Sequence, residues 1–312
     1  MSKSSLKYEL YIAVLPDIKN NNTLRNYKRG LKKFSVWCKE NNIRHFPEIS
    51  LEVVQDYCNH LIDSHYSNAT IHNYLTPVCR AMEIDMKEID KPKRTSGSIV
   101  RGRRVDHNPD GARHMMDDRF QRLVKFQKAV GIRRSELSHL TGEDLIRDLD
   151  GHAVAVIVKR GKGGKRQEQM ILPSNRAIVE DTFRGIALNE RVFSSEEMAN
   201  KINLHGMRAR HAQEAYEYYL AKATDPLQAA GLREQLLSRF EAENKKCSGA
   251  KRARFLHDIN NPAPYRIRGD NWAKAQKLGL PKEYNRLALM AVSVHMLSHW
   301  RLDVTITNYM IQ

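Results

Sequence analysis

The chain is 312 residues long, and its 52 Lys and Arg against 36 Asp and Glu leave a formal charge of +16. That length suffices for two domains with separate cores, and the charge argues for a polyanionic partner, since neutralising phosphates releases counterions. No apolar run reaches the roughly 18 residues needed to cross a bilayer, the polar start Met1-Ser2-Lys3-Ser4-Ser5 lacks a signal-peptide core, and Cys38, Cys58, Cys79 and Cys247 show no paired CxxC spacing. The expectation is a soluble cytoplasmic protein, free of the membrane, that works on DNA or RNA.

Residues 20–90 read as helices. Thr23 is the expected cap of a helix with Leu24, Tyr27, Leu31, Phe34 and Trp37/Cys38 on one face, ending near Asn41-Asn42. Ser50 starts a second, carrying Val53, Val54, Tyr57, Leu61 and Ile62. Ser67 or Asn68 starts a third, with Ile71, Tyr74, Leu75, Val78, Cys79 and Met82, in which Pro77 is expected to force a kink or a break. Together they predict a helical N-terminal domain over residues 1–90. The stretch 91–111 breaks the periodicity and holds Lys91, Lys93, Arg94, Arg101, Arg103 and Arg104 before any acid. It reads as a basic interdomain linker, either merely solvated or tracking a phosphate backbone.

The second domain is expected over 112–312. A helix through Phe120, Leu123, Val124, Phe126 and Val130 leads into Gly131, and a short helix follows from Arg134 to about Leu140. Ala153–Val158 is a strand, Gly161-Lys162-Gly163-Gly164 a turn, and Glu168–Pro173 the returning strand of a β-hairpin. From there the chain is mainly helical. The fold class is thus mainly α with one small hairpin or sheet, in two domains.

Several segments carry possible chemistry, and each is ordinary when taken singly. Arg133 and Glu136 suit a surface i,i+3 ion pair, and Gly161-Lys162-Gly163-Gly164 lacks the form of a phosphate loop. His205-x-x-Arg208 is a common pairing, His299 suits a core histidine and Tyr309 a packing residue. Their order along the chain says more. Gly131-x-Arg133-x-Ser135-Glu136-Leu137, Gly161-Lys162-Gly163, His205-x-x-Arg208, Leu297-Ser298-His299 and Tyr309 together resemble the tyrosine recombinase (phage integrase) family. The N-terminal pieces Leu24-Arg25-Asn26-Tyr27 and Ala69-Thr70-Ile71 are similar to that family's helical core-binding domain, followed by an α+β catalytic domain.

The resemblance implies a site-specific recombinase or integrase that cuts and rejoins DNA through a 3′-phosphotyrosyl intermediate. Tyr309 is the implied nucleophile, needing help because a free phenol has a pKa of about 10. Arg133 and Arg208 would clamp the non-bridging phosphate oxygens, for which guanidinium forks are suited. His205 is the implied base or hydrogen-bond partner, Lys162 the acid for the leaving 5′-oxygen and His299 a further phosphate ligand. Glu136 would orient Arg133 or His205. No metal and no other cofactor is implied, since the arginines take the place of divalent cations and no carboxylate cluster with ligand spacing stands out. Arg101, Arg103, Arg104, Lys165 and Arg166 are expected DNA contacts. The implied partner is double-stranded DNA with short inverted-repeat core sites, bound by a homodimer per site and a tetramer in the synapse. Accessory DNA-bending or directionality proteins and a place at the nucleoid accompany that reading. The alternatives are a non-catalytic DNA-binding regulator of the same fold, or a type IB topoisomerase or telomere-resolvase-like enzyme.

The chain departs from the family pattern in places. Tyr309 stands ten positions after His299, where the family shows about nine, and one extra helical residue turns a side chain by roughly 100°. The extra residue falls after Thr305, so the local path must differ, and delivery of the tyrosine in cis or in trans stays open. Residues 222–282 read as an insertion between His205-x-x-Arg208 and His299, with a helix start at Asp225-Pro226. It is either a packing embellishment or an added contact to DNA or to another protomer. Three residues follow Tyr309, where many relatives carry a further segment that docks on a neighbour. Residues 1–20 are expected to precede the first helix and to be too few for an arm-site-binding domain.

Overall fold

The computed structural model describes residues 5–94, 109–159, 161, 164, 166–245 and 247–311. The chain divides into two units, Met1–Arg101 and Gly102–Gln312. Most of the basic stretch, including Arg101, Arg103 and Arg104, lies outside the described residues, as do Lys162 and Lys165.

The first unit is built from α1 (Leu6–Val14), α2 (Asn21–Glu40), α3 (Leu51–Asp63) and α4 (Asn68–Ala81). Helix α1 occupies residues expected to precede any helix. Ser5 caps it, and Leu6, Leu10 and Val14, each four apart, form its buried face. Asn20, three residues before the expected Thr23, caps α2 by accepting from the backbone N–H groups of Asn22 and Thr23 at 3.0 and 3.1 Å. Ser50 and Ser67 cap α3 and α4 as expected.

Pro77 does not end α4, which runs on to Ala81. An interior proline costs a helix about 3 kcal/mol, and burial of its ring against α2 offsets part of that. The ring lies where a Cβ on Gly30 would come within 2.9 Å of Pro77 Cγ, so only glycine at that position of α2 leaves room for it. Leu10, Leu31, Phe34, Tyr57, Leu61 and Leu75 fill the core, with the Phe34 and Tyr57 rings 4.9 Å apart.

The second unit opens with α5 (Pro109–Met116), α6 (Gln121–Val130) and α7 (Arg134–Leu137). Gly131 ends α6 at φ +67°, a left-handed conformation that glycine adopts without strain. Strands β1 (Leu145–Arg147), β2 (Ala153–Val158) and β3 (Gln167–Met170) form an antiparallel sheet in that order. The expected hairpin is β2–β3, with Val158 opposite Gln167 and Ala155 opposite Met170; β1 is an added partner. Helices α8 (Arg176–Phe183) and α9 (Ser195–Met198) follow.

Helix α10 (Leu204–Thr224) joins two cores. Leu204 and Met207 pack with α6 and the sheet, whereas Ala212, Ala215, Tyr216 and Tyr219 face the C-terminal half. The insertion consists of α11 (Pro226–Glu243), α12 (Gly249–Asn260), β4 (Tyr265–Arg266) and α13 (Gly269–Lys277), with β5 (Glu283–Tyr284) pairing β4. Asp225 caps α11 with Pro226 in its first turn, as expected. Leu232, Leu236, Phe240, Phe255 and Ile259 of the insertion share one core with α14 (Arg286–Ala291). Helix α14 continues as a π turn over Val292–Met296, and α15 (Leu302–Thr305) continues as a second π turn over Ile306–Met310.

Candidate active site

The first turn of α10 presents two of the expected residues. Asn203 caps the helix by accepting from the Gly206 N–H at 3.0 Å, which fixes the turn carrying His205 and Arg208, one helical turn apart. Arg208 is 1% exposed. Its Nη2 donates to the Leu297 carbonyl at 2.9 Å and its Nη1 to the Gly131 carbonyl. Burial pulls its guanidinium below the usual range, with Tyr309 opposing that shift and the Arg133 charge adding to it. An arginine starts so high that it remains a cation there.

Arg133 stands at the start of α7. Glu136, one turn on, accepts from Arg133 Nη1 at 2.7 Å and from the Arg133 backbone N–H at 3.2 Å. The same carboxylate therefore caps the helix and aims the guanidinium. Arg133 Nη2 lies 3.3 Å from the Leu297 carbonyl oxygen and 3.4 Å from His299 Nε2. One carbonyl thus receives both arginines.

His299 sits in the irregular stretch between the first π turn and α15. Ser293 pins it: the His299 N–H donates to the Ser293 carbonyl at 2.7 Å and the Ser293 hydroxyl donates to the His299 carbonyl at 2.8 Å. Ser298 makes the bend at φ +53°. Tyr309 lies on the second π turn and is 4% exposed. Its ring centroid is 5.6 Å from that of His205, 6.0 Å from that of His299 and 5.7 Å from the guanidinium carbon of Arg208. Gln213 Nε2 donates to the Tyr309 carbonyl at 3.0 Å, tying the turn back to α10.

The ten positions from His299 to Tyr309 include a π turn over Ile306–Met310. Its hydrogen bonds run i to i+5, as from the Ile311 N–H to the Ile306 carbonyl at 3.3 Å, so one more residue fits per turn than in an α-helix. On this turn the Tyr309 ring stays beside Arg208. Arg133, Glu136, His205, Arg208, His299 and Tyr309 of one chain come together, and Arg166 lies exposed at the β3 end of the hairpin.

This cluster belongs to the second unit; the first supplies an independent pointer. Residues 9–78 match the phage integrase N-terminal SAM-like domain. Tyrosine recombinase XerD from two strains of Staphylococcus epidermidis is 28% identical over 69 residues, which is 22% of this chain and 23% of the relative. The chain carries a phage-integrase SAM-like domain, and its relatives are tyrosine recombinases. The chain thus matches about a quarter of the length of those curated relatives (23%). Among solved structures, the Tn1549 transposon integrase in complex with circular intermediate DNA aligns with a TM-score of 0.42 and 12% identity, over 98% of this chain and 95% of that one. XerA recombinase aligns with a TM-score of 0.24 and 15% identity, over 72% and 86% of the two chains.

In the second unit, the residues at the candidate site that the sequence did not point to are Gln167, Gln213 and Ser293. Gln167 Oε1 lies 3.4 Å from Arg133 Nη1; its place as the first residue of the returning strand was the available signal. Gln213 and Ser293 act on backbone carbonyls, for which no motif exists. A carboxylate cluster with ligand spacing was also overlooked. Asp148, Asp150 and His152 have ligand atoms within 4.8 Å of one another on the exposed β1–β2 turn. Asp148 Oδ1 there accepts the backbone N–H groups of Asp150 and His152 at 3.2 and 2.8 Å, a turn-forming arrangement. Among the described residues no helix is long and apolar enough to cross a membrane.

Proposed function

We propose that this chain is a site-specific DNA recombinase that cuts and rejoins double-stranded DNA through Tyr309, delivered in cis. The observation that carries this reading is the closeness of the Tyr309 ring to Arg208, His205 and His299. A guanidinium beside a phenol, with a second arginine donating to the same Leu297 carbonyl, suits attack on a phosphodiester. The pentacovalent transition state gathers negative charge on its non-bridging oxygens, and preorganised cations in a buried site stabilise it.

In this reading the Tyr309 oxygen forms a bond to phosphorus as the bond to the 5′-oxygen breaks, leaving a 3′-phosphotyrosine and a 5′-hydroxyl. The phenolic proton passes to His205, and Lys162 supplies the proton taken by the 5′-oxygen. Arg133, Arg208 and His299 hold the phosphate oxygens, and Glu136 positions Arg133. The ester keeps the energy of the broken bond, so rejoining needs no nucleotide, and the arginines do the work a divalent cation does elsewhere. Arg101, Arg103, Arg104, Lys165 and Arg166 contact the DNA backbone around short inverted-repeat core sites. A homodimer occupies each site and a tetramer forms the synapse, with accessory DNA-bending or directionality proteins, in the cytoplasm at the nucleoid.

The test uses duplexes selected by this protein from a random pool, each then nicked to trap the intermediate. A denaturation-resistant protein–DNA adduct supports the reading, and relaxation of plasmids that lack the selected site would turn it toward a topoisomerase.

A further inference from the structure

The insertion touches the candidate site's frame at three places. Phe240 of α11 and Phe255 of α12 are both buried and stack with ring centroids 4.2 Å apart and planes 4° from parallel. Trp300, the residue after His299, meets both edge-on at 5.2 and 5.5 Å. Farther along, Asn271 Nδ2 of α13 donates to Thr307 Oγ1 at 3.0 Å, and Thr307 lies in the π turn of Tyr309. Arg254 of α12 also reaches Asp303 at 3.8 Å, in the first turn of α15.

These contacts fall on segments that regular structure leaves poorly held. Residues 297–301 form neither helix nor strand, and a π turn is rare and seldom runs beyond a single turn. Aromatic edge-to-face pairs stabilise beyond the area they bury, which favours one conformation of an irregular bend.

We infer that the insertion is a brace: Phe240 and Phe255, through Trp300, hold His299, and Asn271, through Thr307, holds the turn that presents Tyr309. They are positioning residues for cleavage, and this rests on the activity proposed above. It favours the packing reading of residues 222–282, and two of the basic side chains there have partners within the insertion. Arg252 pairs with Glu241 at 2.6 Å and Lys251 with the Asn244 side chain at 2.5 Å.

The experiment compares full-length Trp300→Ala, Trp300→Phe and Asn271→Ala with the parent chain on a nicked duplex selected as above. Single-turnover adduct formation, DNA affinity and the imidazole NMR signal of His299, assigned by its loss in His299→Gln, are read together. Trp300→Ala and Asn271→Ala are expected to form adduct about tenfold or more slowly at unchanged DNA affinity, since small misplacements of reacting groups cost that much. Trp300→Phe is expected to recover most of the rate, and Trp300→Ala to shift or broaden the His299 signal. Rates within about twofold of the parent with an unmoved His299 signal overturn the brace. So does loss of rate and DNA affinity in step in both Trp300 variants, which marks a general loss of fold. If the parent chain forms no adduct, the proposed activity fails; the His299 signal in Trp300→Ala still decides the brace, moved supporting it and unmoved refuting it.

Discussion

Arg208 lies against the ring of Tyr309, its guanidinium carbon 5.7 Å from the ring centroid. The contact couples the cation that would bind a phosphate to the residue that would attack it, and both are buried. Arg208→Lys keeps a positive charge but loses the planar fork and its two carbonyl partners. Its adduct formation is expected to fall by about 10²–10³, the effect of removing one preorganised donor, with DNA binding by gel shift largely kept. Arg133→Ala is expected to behave alike. Wild-type rates in both variants would remove the arginines from the mechanism.

The π turn makes a prediction of the opposite kind. Deleting Asn308 shortens the His299–Tyr309 spacing and lets residues 306–310 close as an ordinary α turn. Because an α turn fits one residue fewer, Tyr309 should return to nearly the same place and cleavage should survive. Inserting one alanine after Asn308 instead adds roughly 100° of rotation and should abolish adduct formation. Both are read in the same single-turnover assay.

Ser298 holds φ +53°, a region that costs an L-residue about 1–2 kcal/mol. Its hydroxyl is buried with no hydrogen-bond partner among the described residues. Ser298→Gly removes both costs and gives up some chain entropy, so a net gain of about 1 kcal/mol is expected. Ser298→Ala, which keeps the strain, should gain less. Thermal midpoints of the two variants distinguish them.

Two buried histidines set an acid limit. His211 is pushed down to about 4 by burial and by the Arg208 charge. His295, bonded to the Tyr219 hydroxyl at 2.9 Å, is pushed down to about 3 by burial and then by Arg239 and Lys222. Both stay neutral when folded and titrate near 6.5 when unfolded. Their folded values are depressed, so the stability is fully present above about pH 6.5 and is lost as pH falls, ending near 4 for His211 and near 3 for His295. Each contributes a slope of up to about 1.4 kcal/mol per pH unit in that window. Denaturant unfolding of His211→Gln between pH 4 and 7 should show a shallower slope than wild type.

Where local chemistry decides the structure, the sequence was readable. Ser50 and Ser67 cap as their side chains suggest, and the β-branched run 153–158 pairs with residues 167–170 across a glycine turn. Helix α1 was readable too, since Leu6, Leu10 and Val14 recur every fourth residue, but three apolar residues among polar ones give a faint period. Pro77 misled because its tolerance depends on Gly30, forty-seven positions away in the chain. The ten-residue spacing announced an altered path before Tyr309 without saying which. A π turn has no sequence signature of its own; it exists here because Gln213, Met310 and Ile311 hold its end in place. The insertion's apolar face was legible, whereas its grip on Trp300 follows only from the tertiary fold.

The most direct test of the central claim is the fate of Tyr309. The full chain and its Tyr309→Phe variant are each incubated with a nicked duplex selected by binding, denatured, and run on a gel that separates free from DNA-linked protein. A covalent adduct is expected with the wild type and none with Tyr309→Phe, with equal DNA affinity for both and a phosphotyrosine at residue 309 by peptide mass. No adduct on any selected duplex, or an adduct that survives Tyr309→Phe, would contradict the claim.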